Sequence, residues 1–408
     1  MVSEMNDNPE RPDAGGTEAG LRRRALGFVV LLGVVSLFAD MTYEGARSIT
    51  GPFLALLGAS GAVVGFVAGL GELIGYGLRL ASGYLADRTK RYWGIAIFGY
   101  TLNLLAVPAI ALAGRWEIAA LLMIAERTGK GIRNPSRDVM LSHATGRIGR
   151  GWGFGLHEAL DQIGAVLGPL LAAGVLSVNG SYRQAFALLG VAAVLALLTL
   201  AAARITFPNP SELEAARAPV VGKGLGRAYW LYLVAAALVA AGYADFPLIA
   251  FRLQKEGLAP AAWVPVLYAI AMGVDALAAL AFGKLFDRFG LPVLAVVVVA
   301  SSAFAPLVFL GGFPLVVAGM VCWGIGMGAQ ESIMRAAIAD LVPSNRRGTA
   351  YGLFNAGYGL SWFLGSALIG ILFDVSVGWL VAFSITAQLA AVPILLLTGR
   401  TLRVVRPR

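Results

Sequence analysis

The chain is 408 residues long, 58% hydrophobic and 13% charged, with a mean hydropathy of +0.76. So much apolar side chain cannot be hidden inside a soluble particle, which excludes an ordinary cytosolic enzyme. The formal charge of +9 does not signal nucleic acid, because the basic residues sit in short clusters between apolar runs rather than along a solvated face. The one cysteine, Cys322, excludes a disulfide or a cysteine metal site within the chain.

Residues 1–24 are polar and lack the basic and small-residue regions of a signal peptide, so a disordered cytoplasmic tail is expected there. Apolar segments follow near 26–57, 60–82, 93–113, 116–142, 151–177, 183–203, 228–253, 262–283, 291–310, 314–340, 348–372 and 378–398. A span with its turn needs about 25–30 residues, so these segments predict twelve transmembrane helices. They divide into a bundle over 25–203, a polar cytoplasmic linker over 204–227, a second bundle over 228–398 and a basic cytoplasmic tail over 399–408. About 21 Lys and Arg fall on one side of that count and about three (Arg115, Arg183 and Lys255) on the other, which predicts cytoplasmic termini and an even number of spans.

In the first span Asp40, Glu44 and Arg47 lie at i, i+4 and i+7 on one helical face, and Glu44 with Arg47 reads equally as a static ion pair. Glu72 and Arg79 follow in the second span, two turns apart, and read equally as structural. The second span ends in Gly83-Tyr84-Leu85-Ala86-Asp87-Arg88-Thr89-Lys90-Arg91. Gly83 permits close helix approach, Asp87 can cap a helix N-terminus across a seam, and Arg91 can pair with a carboxylate; the plainer reading is a stop-transfer cluster. This run resembles the loop between spans 2 and 3 of the major facilitator superfamily. The resemblance implies an all-α integral membrane protein with twelve transmembrane helices in two pseudo-symmetric six-helix bundles, and a conformational latch in which Arg91 pairs with Asp138 at the end of span 4.

In span 4, Arg127-Thr128-Gly129-Lys130-Gly131 is similar to a family motif in which the lysine position is usually glutamine. A guanidinium in mid-membrane costs at least about 2.5–3.5 kcal/mol, so Arg127 is expected to face protein or water and to hold a carboxylate. The resemblance links it to proton transfer. Glu126, Lys130, Arg133 and Arg137 form one stripe that either lines a watery path or, for its last members, snorkels to the interface. Span 5 carries Gly155, Gly164, Gly168 and Pro169, then Ala172-Ala173. Small residues at these spacings allow close packing, and the pattern resembles the motif of the superfamily's antiporters, which implies export. Early in this span Asp161 lies four residues from His157 and three from Glu158. A buried carboxylate between desolvation and a nearby cation can titrate near neutrality, which suits a proton carrier.

In the second half, Gly283-Lys284-Leu285-Phe286-Asp287-Arg288 repeats Gly83 to Arg88 at an offset of about 200 residues. Asp245 and Arg252 echo Asp40 and Arg47, while Arg347, Gly352 and Gly365 echo Arg150, Gly155 and Gly168. The chain therefore reads as a duplication, the geometry for two halves rocking about a midplane cavity. The second latch copy, Gly283, Asp287 and Arg288, lacks trailing basic residues and is expected to hold more loosely. Glu331 and Arg335 form an i, i+4 pair, and among the aromatics Trp323 and Tyr358 are candidates to wall the substrate.

No phosphate-binding loop, zinc helix or nucleophile elbow is present, so neither an enzyme nor an ATP-driven pump is expected. No cofactor is expected beyond the proton gradient that would drive transport. The reading is proton antiport that exports a small amphipathic or organic-anion solute by alternating access. Asp40, Glu44, Arg127, Glu158 and Asp161 carry the coupling, and Arg47, Glu126, Lys130, Arg133, His157, Asp245, Trp323 and Tyr358 form the cavity. Uptake of a small polar or anionic solute and a lipid flippase or sensor with the same fold are the competing readings. The expected setting is a prokaryotic inner membrane, with membrane lipid, protons and a small-molecule substrate as partners, no nucleic acid, and a monomer.

Overall fold

The computed structural model describes residues 14–148, 150–213, 225–342 and 347–405; the side chains of Asp87, Asp287 and Arg335 lie outside the described set. Fourteen α-helices follow one another: α1 (Ala14–Leu56), α2 (Gly61–Thr89), α3 (Tyr92–Ala109), α4 (Trp116–Ile148), α5 (Arg150–Asn179), α6 (Tyr182–Thr206), α7 (Arg227–Gly242), α8 (Phe246–Lys255), α9 (Trp263–Phe289), α10 (Pro292–Ser302), α11 (Phe304–Leu310), α12 (Phe313–Leu341), α13 (Arg347–Val375) and α14 (Val377–Val405). The pairs α7/α8 and α10/α11 each make one broken crossing, which leaves twelve crossings among the described residues. Eleven of them are apolar enough to stand out by hydropathy. The other is α4, whose charged stripe of Glu126, Arg127, Lys130, Arg133 and Arg137 makes it unstable in lipid without partners.

The ends of the helices depart from the sequence expectations. Helix α1 begins at Ala14, inside the segment expected to be a disordered tail, because helix propagates cooperatively outward from the buried Ala25 and Phe28. Helix α14 likewise continues to Val405, through most of the expected tail. The linker opens with Phe207, whose ring packs on Phe28 and whose carbonyl accepts from the Trp93 indole, before a short turn at Pro210–Leu213; residues 214–224 lie outside the described set.

The seventh crossing, expected to be one helix, is interrupted at Tyr243-Ala244-Asp245. Asp245 caps α8 by accepting from the Phe246 N–H at 3.0 Å, with Pro247 in the first turn. The freed carbonyls are satisfied by side chains. Ser384 and Gln388 donate to Gly242 O, and the Trp323 indole donates to Ala244 O at 2.9 Å. Irregular backbone at membrane depth survives only when protein partners supply such bonds.

Glycines set the closest helix contacts. A Cβ on Gly164 would overlap the Leu37 carbonyl, and one on Gly168 the Met41 carbonyl, so α5 lies directly on the backbone of α1. In the second half Gly365 of α13 meets the Ala241 carbonyl of α7 in the same way, so the duplication read from sequence recurs in the packing. Gly155 has nothing within 4 Å of its would-be Cβ and contributes no such contact. Gly83 meets only Pro135 at ordinary distance, and Gly283 nothing, so the close approach expected at both latch glycines is not used.

Gly168→Leu should therefore destabilise by several kcal/mol or prevent folding, since backbone cannot move aside as a side chain tip can, whereas Gly155→Leu should be nearly neutral. Thermal unfolding of the two purified variants, compared by size-exclusion recovery after heating, checks the contrast.

Candidate functional site

Glycines also place α4. Gly129 lies against Asn103 and the Gly99 carbonyl of α3, and Gly131 against the Gly75 carbonyl of α2. With α4 wedged between two helices, its charged stripe faces α1 and α2 in the middle of the bundle. There Arg127 reaches Glu72 at 3.5 Å and Glu126 at 3.4 Å. Lys130 reaches Glu44 at 3.4 Å and rests 3.8 Å above the Tyr43 ring. Arg47 lies 3.4 Å from Glu72 and 4.0 Å from Glu44, and binds Asp245 at 2.5 Å. Asn103 donates to Glu126 at 2.7 Å, and Tyr268 donates to Glu44 at 2.5 Å. This is one connected network, and two of its bonds, Arg47 to Asp245 and Tyr268 to Glu44, join the two halves.

Asp40 is buried beside it and accepts from the Tyr43 hydroxyl. Asp161, reaching in from α5, keeps one buried carboxylate oxygen without a hydrogen-bond partner. Both line a cavity of about 160 Å³ that also touches Glu44, Glu72, Arg127, Lys130, Tyr358 and Trp362. The cavity runs from this network toward the end of the bundle that carries the basic turns, where Arg79, Arg137 and Glu158 line it.

The opposite end is closed. Gly65 and Gly69 of α2 lie on the backbone of α13 near Ser366, Gly370 and Phe363, and Gly51 of α1 lies on the Pro247 carbonyl. Asp374 at the end of α13 accepts from the N–H groups of Gly61 and Ala62, at 3.2 and 2.7 Å. A carboxylate from one half thus caps a helix of the other, where the exposed N–H groups and the helix dipole both favour negative charge.

Several residues expected in the cavity lie elsewhere. His157 turns to α1 and bonds Ser36 at 2.9 Å, so it does not meet Asp161. Arg133 is fully buried between the rings of Tyr100 and Tyr43, at 4.3 and 5.4 Å, and its three guanidinium nitrogens have no hydrogen-bond partner among the described residues. Trp323 is fully buried against Tyr243, Phe246 and Tyr268 and serves the helix break instead of the substrate space. Tyr358 does line the cavity, donating to Gln330 at 2.6 Å and meeting Tyr76 edge to face. Arg137 is half-buried and binds the exposed Asp138 at 2.9 Å, so Asp138 is not joined to Arg91, which is exposed. Arg88 is exposed and, among the described residues, reaches the Tyr84 hydroxyl, and Arg288 lies over Phe289. The roles expected for the Asp87 and Asp287 side chains fall outside the described residues.

Glu72, which the sequence left equally readable as structural, holds both Arg127 and Arg47, and Tyr268, which the sequence did not single out, bonds Glu44. A carboxylate in an apolar span was the available signal for Glu72, whereas nothing marks Tyr268 until α9 is packed against α1.

Comparison with known proteins agrees with this architecture. The family model described as Major Facilitator Superfamily matches residues 30–330 and 257–407. An uncharacterized protein of Mycobacterium tuberculosis is 46% identical over 393 residues, covering 93% of this chain and 95% of that one. An uncharacterized MFS-type transporter of Methanocaldococcus jannaschii is 27% identical over 360 residues, 85% of this chain and 89% of that one. The multidrug resistance protein MdtH of Proteus mirabilis is 32% identical over 124 residues, 30% of this chain and 31% of that one. Among solved structures, the nucleoside transporter NupG superposes with a TM-score of 0.73 at 13% identity over 90% of this chain and 99% of that one. At that identity the likeness is one of fold.

Removing the cap with Asp374→Asn should loosen the closed end by about 1–2 kcal/mol, a shift of about 5–30-fold toward its open form. In a Cys322→Ser background, a membrane-impermeant maleimide should label Ser366→Cys faster once Asp374 is neutralised.

Proposed function

The chain belongs to the major facilitator superfamily of transporters, and from that premise we propose that it exports a small amphipathic or organic-anion solute in exchange for protons. The observation that carries the reading is the coupling of charge to closure. The residues that hold the closed end, Arg47 to Asp245 and Glu44 to Tyr268, belong to the same network as Arg127, Lys130 and the candidate acids. With the basic turns taken as cytoplasmic, the cavity described above opens inward and the capped end faces outward.

In the proposed cycle, substrate enters from the inside and the acids Asp40 and Asp161 release their protons there. Deprotonation adds negative charge beside Lys130 and draws it away from Glu44. Glu44 then turns to Arg47, weakening the hold of Arg47 on Asp245, and the closed end can part. On the outside, protonation of the same acids reverses each exchange as substrate leaves. The small-residue packing of α5 on α1 keeps Asp161 and Asp40 on facing helices, so one proton-loaded patch touches both the network and the cavity. The partial likeness to a multidrug resistance protein supports the outward direction.

Reconstituted in liposomes under an imposed pH gradient, the protein should show proton movement evoked by one class of amphipathic drug or small organic anion, read from lumenal pH. Asp161→Asn and Asp40→Asn should each cut that coupled movement to background while leaving the folded protein intact. Solute efflux that ignores the gradient would overturn the antiport reading.

A further inference from the structure

Between α5 and the facing helices α9 and α12 lies a second cavity of about 710 Å³, open at the lipid-facing surface of the bundle. Its walls are apolar, chiefly Ile163, Val166, Leu167, Ala276 and Leu280, and Ile163 and Leu280 are exposed at its edge. Its volume is that of a site for a drug-sized molecule. Glu158, Gln162 and Glu331 form the back of this crevice and also line the central cavity, so the two spaces communicate through a polar neck.

At that neck, on the central side, stands Asp275 of α9. It is 1% exposed, lines the central cavity, and keeps one carboxylate oxygen without a hydrogen-bond partner. A side-chain oxygen of Gln162 is likewise buried and unpartnered. The acids Glu331, Glu158 and Glu44 line the same cavity as Asp275, and among the described residues no base forms an ion pair with it. The bases Arg47, Arg127 and Lys130 belong to α1 and α4, on the other wall. An unpaired buried carboxylate is costly, and an acceptor at the end of an apolar passage is relieved by a cation with a hydrophobic body. Tyr358, Trp362 and Tyr76 stand along the same cavity and offer ring faces to such a charge.

We propose that the crevice between α5 and α9/α12 is a lateral entrance for an amphipathic organic cation, whose charged end is held at Asp275, flanked by Glu158, while its apolar body occupies the crevice. The proposal rests on the export reading for its physiological meaning and narrows the substrate from amphipathic or anionic solutes to lipophilic cations. The site itself requires only the groups at the neck.

Equilibrium dialysis of the full chain in lipid nanodiscs tests it with radiolabelled tetraphenylphosphonium, and with tetraphenylborate as a probe of the same shape and opposite charge. Tetraphenylphosphonium should bind at least about tenfold more tightly than tetraphenylborate relative to empty nanodiscs. Asp275→Asn and Glu158→Gln should each weaken the cation about tenfold or more without affecting the borate. The paired substitution Ile163→Trp and Leu280→Trp, at exposed positions that folding does not depend on, should slow or abolish binding with every acid intact. Equal binding of the two probes, or cation binding unchanged in both acid variants, overturns the proposal; if Asp275→Asn is not recovered folded, Glu158→Gln and the tryptophan pair decide. Cation binding without proton-coupled flux would leave the site standing and reject the antiport reading. Proton-coupled flux of another solute with no cation binding would do the reverse.

Discussion

Most of the charge held inside this apolar bundle is answered by opposite charge, and much of the structure follows from that pairing. Arg127 on α4 would cost several kcal/mol facing lipid, and it is held instead between Glu72 and Glu126. Lys130 and Arg47 are answered by Glu44, Glu72 and Asp245. Removing one partner of such a set leaves a buried charge unbalanced, at a cost of about 3–5 kcal/mol. Such a network can change without that cost only by exchanging partners, which is what the proposed cycle requires.

The backbone is arranged to serve this exchange. Glycines at 129 and 131 let α4 lie between α2 and α3, so acids and bases of α1, α2 and α4 converge within hydrogen-bond reach, and glycines at 164 and 168 lay α5 on α1, which brings Asp161 to the same cavity. The broken crossing α7/α8 brings Asp245 into the middle of the bundle, where it caps α8 and binds Arg47 at once. A helix break there has a structural cost, met by Trp323, Ser384 and Gln388. Trp323 is thus a support for the site, which explains both its complete burial and its absence from the cavity wall.

The two cavities divide the chemistry between them. The central one is polar and bounded by paired charges on the α1, α2 and α4 walls, whereas the lateral one is apolar and leads to a neck where Asp275 and Gln162 each keep a buried oxygen without a hydrogen-bond partner. In the proposed lateral entry, a solute with both a charge and a greasy body would meet each kind of surface in turn. The cap of Asp374 on α2 holds the far end shut in this structure.

The sequence alone determined the membrane setting, the crossings, the duplication and most of the charged cast, because hydropathy, the repeat near 200 residues and intramembrane charges are local properties of the chain. The family resemblance at 83–91 and 127–131 added the fold. Tertiary structure decided which charges meet. Asp40, Asp161, Glu44 and Lys130 come together on one cavity, whereas His157 and Arg133 share the spacing of cavity residues and point into packed protein. Helical periodicity says that residues share a face; it does not say which neighbour that face meets. Tyr268, the cap at Asp374 and the exposed crevice each join segments hundreds of residues apart or depend on the tilt between halves, so no run of sequence could carry them.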